Sequence, residues 1–114
     1  MKLSRIKHEA TRRIDEGDFG TNTSYRLCTY YEVTDGPPCA VPGVQRYVFR
    51  LQYIEVVWRQ EANGDRRRYV TARGRRILAN GQEGASEGSH SWSYDQTPPW
   101  PEVTALPEYQ NPVF

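Results

Sequence analysis

The sequence predicts a mainly β protein: a small antiparallel sheet or partial barrel of about four or five strands, with a short N-terminal helical or irregular segment and an extended proline-rich C-terminal arm. Aromatic residues make up 12% of a chain whose mean hydropathy is −0.82, and aromatic side chains favour pleated, half-buried surfaces. Several segments alternate apolar and polar residues, which is the side-chain period of a strand. Clusters of glycine and proline separate these segments and favour turns.

The length of 114 residues, with 37% hydrophobic residues, predicts one domain with a thin core. We assign residues 1–95 to this domain and residues 96–114 to the arm. Residues 1–20 form an N-terminal segment whose apolar side chains recur at intervals of three or four, at Leu3, Ile6, Ala10 and Ile14. This spacing predicts an amphipathic helix over residues 4–16 that ends at Gly17.

The middle of the chain carries two strand patterns separated by a loop. Residues 25–33 alternate between two faces and predict a strand, whereas residues 34–43 contain three prolines and two glycines and predict a loop. Residues 44–60 carry the longest strand pattern, but their apolar positions change from odd to even at residues 53–54. Because side chains in a strand repeat every two residues, this change predicts a bulge, a sharp bend, or two strands with almost no connection.

The Asn63-Gly64 pair predicts a tight hairpin, since both central residues of a type I′ turn need a positive φ. In the register that follows, Trp58 lies opposite Tyr69 and Arg59 lies opposite Arg68. One face of the hairpin is then apolar and comprises Ile54, Val56, Trp58, Tyr69 and Thr71. The other face is charged and comprises Arg59, Arg66 and Arg68 with Glu61.

The C-terminal third is predicted to be mostly irregular. Residues 82–88 are polar and rich in glycine and predict a mobile loop, whereas residues 89–95 alternate strictly and predict a last strand. Five prolines in residues 96–114 predict an extended chain and exclude helix and sheet interior. We expect the arm to bind a protein partner or the body of its own chain through Trp100, Leu106, Tyr109 and Phe114.

Charge is divided unevenly along the chain, although its net value is only +1. Residues 1–76 hold all 15 Lys and Arg residues and nine acidic residues, whereas residues 77–114 hold five acidic residues and no basic ones. This asymmetry indicates an anionic partner, or an acidic tail that folds over a basic face. The basic residues concentrate between residues 59 and 76, at Arg59, Arg66, Arg67, Arg68, Arg73, Arg75 and Arg76.

These arginines predict anion binding. A guanidinium group matches phosphate and carboxylate oxygens bidentately and also stacks on bases. Two arginines placed opposite each other destabilise a hairpin by up to about 1 kcal/mol unless an anion lies between them. We therefore predict a non-catalytic binding protein whose hairpin contacts nucleic acid, as a ribbon in a major groove, or another polyanion such as an acidic protein surface. A solvated or internally neutralised face is the structural alternative.

Two other classes of function stay open. The first is a structural or accessory subunit of a larger assembly, such as a viral particle component or a host-factor inhibitor, held by its C-terminal arm. The second is a small enzyme with His8 or His90 beside carboxylates. Since the chain has no nucleophile elbow, we expect no enzyme, no catalytic residue and no cofactor.

The cysteines and the hydropathy profile indicate where the protein works. Cys28 and Cys39 are too few for a disulfide scaffold and lack the spacing of a zinc site, so we expect two free thiols and no metal. No run approaches the roughly 20 apolar residues of a membrane span, and the N-terminus lacks the apolar segment of a secretory signal. We expect an intracellular protein, cytoplasmic or in a virion, with no membrane partner.

Overall fold

A computed structural model describes residues 1–17, 20–41 and 48–112. These residues form an open antiparallel sheet of seven strands and two short helices. The elements are β1 (Lys2–Gly17), β2 (Gly20–Thr34), β3 (Pro38–Ala40), β4 (Val48–Arg50), β5 (Tyr53–Gln60), β6 (Arg66–Ile77), β7 (Glu83–Trp92), α1 (Pro101–Thr104) and α2 (Pro107–Gln110). The order across the sheet is β1-β2-β5-β6-β4-β3, and β7 also pairs with β6. The mainly β fold is confirmed, whereas the smaller strand number and the partial barrel are wrong.

The N-terminal segment is a strand, and the helix predicted for residues 4–16 is wrong. β1 pairs with β2 from Lys2 to Gly17, with one register shift between Arg5 and Lys7. The apolar stripe that predicted the helix is thin, and a helix needs such a stripe to pack against a core. Pairing with β2 instead satisfies the backbone groups along one edge of the segment, so tertiary context overrides the weak helical pattern.

The core lies on one face of the sheet, which we call the inner face. Cross-strand pairing places Leu27 of β2 opposite Trp58 of β5, and Val56 of β5 opposite Val70 of β6. The strand predicted for residues 25–33 and the division of its side chains between two faces are confirmed. The buried residues on or against this face are Leu27, Thr29, Tyr31, Val33, Phe49, Leu51, Ile54, Val56, Val70, Ala72, Val103 and Tyr109.

The change of phase in the predicted strand over residues 44–60 corresponds to two strands with almost no connection. β4 and β5 are separated only by Leu51 and Gln52. The backbone N–H of Gln52 donates to the Arg73 carbonyl at 2.9 Å, and its own carbonyl accepts from Val33 at 2.8 Å. The chain therefore passes from β4 to β5 without a turn, and this two-residue connection shifts the alternation of side chains by one position. The buried apolar residues accordingly lie at odd positions before it, as at Phe49, and at even positions after it, as at Ile54. Within the predicted loop 34–43 the structure adds the short β3, and residues 42–47 lie outside the described residues.

The hairpin between β5 and β6 has a different turn from the one predicted. Gly64 has φ of +90°, but Asn63 does not have a positive φ. The Glu61 N–H donates to the Asp65 carbonyl at 2.8 Å, which closes a loop of three residues rather than two. The Asn63 side chain accepts a hydrogen bond from the Asp65 N–H at 3.0 Å, so it shapes the turn through its side chain and not through its backbone. The extra loop residue shifts the register of the hairpin by one.

The last strand begins earlier than predicted. β7 pairs with β6 from Glu83 opposite Ile77 to Trp92 opposite Val70, so the mobile loop predicted for residues 82–88 is wrong. Gly88 is buried, and a Cβ atom there would lie only 2.8 Å from the Cβ of Phe49. The glycine therefore serves close packing rather than flexibility, which composition alone does not distinguish.

The C-terminal arm forms two short helices on the inner face, so the exclusion of helix from residues 96–114 is wrong. Pro101 and Pro107 each begin a helix, at the position where proline is tolerated because the N–H would have no partner. Val103 is fully buried, and Tyr109 is 7% exposed. Residues 97–112 therefore cover the core of their own chain; Phe114 lies outside the described residues.

Neither helix of the described residues has the length and apolar character that crossing a membrane requires. Both cysteines are free, as predicted, with Cys28 half-buried and Cys39 buried.

Candidate anion-binding face

The candidate site lies on the sheet face opposite the helices, which we call the outer face. Because side chains alternate along each strand, residues that flank the buried ones point to this face. Arg26 of β2 pairs with Arg59 of β5, and Arg59 pairs with Arg67 of β6. These three residues form a line across three neighbouring strands, which we call the arginine row.

The arginine row holds three like charges at the closest spacing that a sheet permits. The Cα atoms of directly opposite residues in an antiparallel sheet lie about 4.5 to 5.5 Å apart. Each like-charged pair opposes folding by up to about 1 kcal/mol, and Arg59 takes part in two of them. An arrangement of this kind is stabilised when an anion lies along the row.

The protein itself neutralises the row only in part. The Arg26 Nη2 atom lies 4.0 Å from Glu55 Oε1, at the limit of an ion pair. Among the described residues, no carboxylate oxygen lies within 4.0 Å of the guanidinium groups of Arg59 and Arg67. Both contact aromatic rings instead, Arg59 at 5.8 Å from the centre of Tyr69 and Arg67 at 5.3 Å from the centre of Tyr94.

A groove of about 400 Å³ lies beside the row. Its lining comprises Thr11, Arg13, Asp15, Ser24, Tyr25, Arg26, Arg59 and Glu61. Arg13 already pairs with Asp15, at 3.1 Å between Nε and Oδ1. The hydroxyl group of Ser24 adds a hydrogen-bond donor that suits phosphate or carboxylate oxygens, whereas the Thr11 hydroxyl donates to the Arg26 carbonyl at 3.4 Å. The groove therefore offers both cationic and neutral donors next to Arg59.

The structure divides the seven predicted arginines between the two faces. Four of them alternate onto the outer face, namely Arg59, Arg67, Arg73 and Arg75. Arg66 and Arg68 alternate onto the side of the core, and Arg76 lies at the register shift beside β4. Arg66 donates from Nε to Gln60 Oε1 at 2.8 Å. The prediction of one charged face for the whole hairpin is therefore wrong for Arg66 and Arg68.

Arg68 is part of the protein's own packing. Its guanidinium carbon lies 3.7 Å from the centre of the Tyr109 ring, and its Nη1 atom donates to the Tyr109 carbonyl at 3.2 Å. It also lies 5.4 Å from the centre of the Trp58 ring. Trp58 in turn donates from Nε1 to the Glu108 carbonyl at 2.6 Å. The pair formed by Arg68 and Trp58 thus fastens α2 to the sheet.

Arg67 and Arg68 are adjacent in sequence, and we expect unequal effects on stability when each is replaced by Gln. Arg68→Gln removes a charged hydrogen bond and a cation–π contact, and we expect the free energy of unfolding to fall by about 2 to 3 kcal/mol. Arg67→Gln removes the like-charged contact with Arg59 and the cation–π contact with Tyr94, which have effects of opposite sign, so it should alter this free energy by less than about 0.5 kcal/mol. Urea denaturation followed by tryptophan fluorescence measures both. Equal stability of the two variants would contradict this division of roles.

Arg26 is a member of the site that the sequence did not reveal. Its position on the polar face of its strand followed from the alternation of residues 25–33. The pairing of β2 with β5 brings it beside Arg59, although the two residues are far apart in the sequence. The missing information was the order of strands, because a strand's own pattern gives its faces but not its neighbours.

The remaining candidate residues have structural contacts. His8 Nδ1 lies 2.8 Å from the Thr29 hydroxyl oxygen, and the His90 ring packs edge-on against Trp92 at 4.7 Å. Trp100 packs against Trp92 at 5.3 Å between ring centres, and Leu106 packs against the core. Within the three described segments, no group of three His, Cys, Asp or Glu residues is placed to hold a metal ion.

Cys28 lies next to the arginine row, two residues along β2 from Arg26 and on the same face. Burial, only partly offset by the charge of Arg26, raises the pKa of the Cys28 thiol, and Glu55 and Glu9 raise it further. A raised pKa disfavours the thiolate form of Cys28.

No protein-family model, no curated protein sequence and no solved structure matches this chain.

Proposed function

We propose that the protein binds nucleic acid, or a comparably dense polyanion, through the arginine row on its outer face. One observation carries this proposal: Arg59 lies between two other arginines, and among the described residues no carboxylate is within ion-pair distance of it. A chain of phosphates along the row would convert two unfavourable cross-strand contacts into favourable ones.

Nucleic acid suits this face better than an acidic protein surface does, because arginines and an exposed aromatic ring lie together. The side chain of Tyr94 is 57% exposed and lies under Arg67. In complexes with single strands, basic side chains contact the backbone and aromatic rings stack on bases, often on the open face of a sheet. The arginine row spans about 10 Å across three strands, which corresponds to a few nucleotides of an extended strand.

The proposed manner of binding differs from the inserted ribbon that the sequence predicted. β5 and β6 are flanked by β2 and β7, so the hairpin is part of a broad surface. We therefore propose contact across the face, with a preference for single-stranded DNA or RNA over the major groove of a duplex.

Fluorescence anisotropy with labelled single-stranded DNA and RNA tests this function. We expect Arg59→Gln and Arg67→Gln each to weaken binding about tenfold at low salt, because each removes a charge-assisted contact. Each should also reduce the slope of log affinity against log salt by about one. The matched control is Arg12→Gln, an exposed arginine that alternation places on the other face of β1, and it should change affinity less than twofold.

Two results would reject the function. One is the absence of binding to either nucleic acid at low ionic strength. The other is an equal loss of affinity in Arg12→Gln, since that result would indicate unspecific attraction to a basic chain. The alternative of an assembly subunit stays a prediction; the contacts of Trp100, Leu106 and Tyr109 described above are internal, so they supply no separate argument for it.

A further inference from the structure

β1 has a long free edge. β1 is the outermost strand of the sheet, and it pairs only with β2 among the described residues. Every residue from 4 to 17 is exposed, including Ile6 and Ile14, which are each more than half exposed. A long unpaired edge presents a row of backbone N–H and C=O groups that another strand can pair with.

The charges on the outer face of β1 follow a self-complementary pattern. After the register shift, the residues that alternate onto this face are Lys7, Glu9, Thr11, Arg13 and Asp15. Their charges are positive, negative, neutral, positive and negative. When a second copy of the strand runs antiparallel with its Thr11 opposite this Thr11, each charged residue lies opposite a residue of opposite charge.

We propose that two copies of this chain associate by antiparallel pairing of their β1 edges, with Thr11 of one copy opposite Thr11 of the other. Lys7 then lies opposite Asp15 of the second copy, and Glu9 lies opposite Arg13 of the second copy. The two-fold axis produces each pair twice, so the interface contains four cross-strand pairs of opposite charge and none of like charge on this face.

The same charge pattern disfavours the two neighbouring registers of the pairing between the β1 edges. Directly opposite residues in a sheet must lie on the same face, so the register can change only in steps of two. One step in one direction places Lys7 opposite Arg13 of the second copy. One step in the other direction places Glu9 opposite Asp15. Both alternatives bring like charges together, which leaves the register centred on Thr11.

The ladder of backbone hydrogen bonds between the two β1 strands has two defined ends. The register shift between Arg5 and Lys7 marks one end, and Asp15 is the residue that Lys7 meets at the other end. Residues 7–15 of each copy supply about eight to ten interchain backbone hydrogen bonds, depending on which alternate residues point their N–H groups outward. Within one chain, Lys7 and Glu9 pair at 3.3 Å, and Arg13 and Asp15 pair at 3.1 Å. In the dimer each of these four side chains gains a second neighbour of opposite charge.

Pairing in this register would also align the arginine rows of the two copies. Thr11 lies opposite Arg26 in the pairing of β1 with β2, and Arg26 begins the row that continues to Arg59 and Arg67. The two rows therefore become collinear across one continuous sheet, with six arginines symmetrical about the Thr11 pair. The dimer does not depend on anion binding, because its contacts are those of β1 alone.

Charge exchange tests the interface on the full-length protein. By analytical ultracentrifugation at high protein concentration, we expect the unmodified chain to approach twice its mass of 13.2 kDa. Glu9→Lys places lysine opposite Arg13, and Arg13→Glu places glutamate opposite Glu9, so each variant alone should be monomeric. An equimolar mixture of the two variants should form heterodimers, and the double variant Glu9→Lys/Arg13→Glu should dimerise again. Circular dichroism spectra confirm that each variant is folded.

Disulfide crosslinking tests the register. In a Cys28→Ser background, Thr11→Cys should give a covalent dimer under mild oxidation, since directly opposite Cα atoms lie about 4.5 to 5.5 Å apart. The matched control is Ala10→Cys, whose Cα atom would lie about 8 Å from its counterpart, beyond disulfide reach. Equal crosslinking of the two variants would overturn the register.

A monomeric unmodified protein at every concentration would overturn the proposal itself, and would assign the β1 charges to protection of an edge against pairing. A dimer that persists in Glu9→Lys and in Arg13→Glu would overturn it equally, because the contact would then lie elsewhere. Neither result bears on the anion-binding assay, which is carried out with Arg59 and Arg67 variants.

Discussion

Replacing Gly74 with alanine is expected to lower the free energy of unfolding by at least about 3 kcal/mol. A Cβ atom at this position would lie 1.5 Å from the Arg50 carbonyl oxygen and 2.7 Å from its carbonyl carbon. The obstacle is backbone, which a rotamer change does not relieve. β6 and the chain between β4 and β5 would have to separate, and the hydrogen bond from Gln52 N–H to the Arg73 carbonyl would be lost. The measurement is the midpoint of urea or thermal denaturation.

The control for this experiment is Gly17→Ala. Gly17 is also a strand glycine without a positive φ, but the nearest atom to its added Cβ lies 3.9 Å away, which is ordinary contact. We expect its midpoint to change little. Comparable stability of the two variants would show that the close approach of Gly74 to Arg50 is wrong.

Deletion of residues 97–114 is expected to leave the sheet marginally stable or unfolded. The two helices in this segment bury Val103 and Tyr109 against the inner face, and burial of each side chain contributes about 1.5 to 3 kcal/mol. The loss of about 3 to 6 kcal/mol compares with a total stability of about 5 to 15 kcal/mol for an ordinary domain. The deletion also exposes Trp58 and Trp92, so tryptophan emission should shift to longer wavelength.

Point variants keep this prediction testable if the truncated chain does not express. Val103→Ala should lower the free energy of unfolding by about 2 kcal/mol, through lost burial and a residual cavity. Glu102→Ala, at the exposed neighbouring position, should have little effect. A truncated chain with the same midpoint as the full chain would mean that residues 97–114 are an appendage and not part of the core.

The fold was predictable wherever a local pattern and the tertiary pairing agree. Residues 25–33 alternate between two faces, and the structure buries Leu27, Thr29, Tyr31 and Val33 of one set while the other set is exposed or half-buried. The N-terminal segment shows the opposite case, since the spacing of Leu3, Ile6, Ala10 and Ile14 fits a helix. Only the presence of β2 beside it makes the strand the better solution. The prolines of α1 and α2 led to the wrong exclusion of helix from residues 96–114. Proline is excluded from a helix interior but not from the first helical residue.

The candidate site was predictable in composition and not in geometry. The concentration of arginine between residues 59 and 76 predicted a cationic hairpin, and the structure forms a hairpin from β5 and β6 there. The turn at Gly64 contains one residue more than predicted, so each side chain of β6 lies on the opposite face from the one predicted. As a result Arg67, and not Arg68, lies opposite Arg59. Since strand side chains alternate strictly, an error of one residue in a turn reverses the environment of every residue beyond it.

The sequence alone determined three properties of this protein: the β class, the faces of β2 and the location of positive charge. Each depends on residues close together in the chain, whose propensity and alternation act locally. The tertiary structure decided the strand order that joins Arg26 to Arg59, the register of β6 and the docking of α1 and α2. These depend on contacts between distant segments, where burial and backbone pairing outweigh local preference because they involve far more surface.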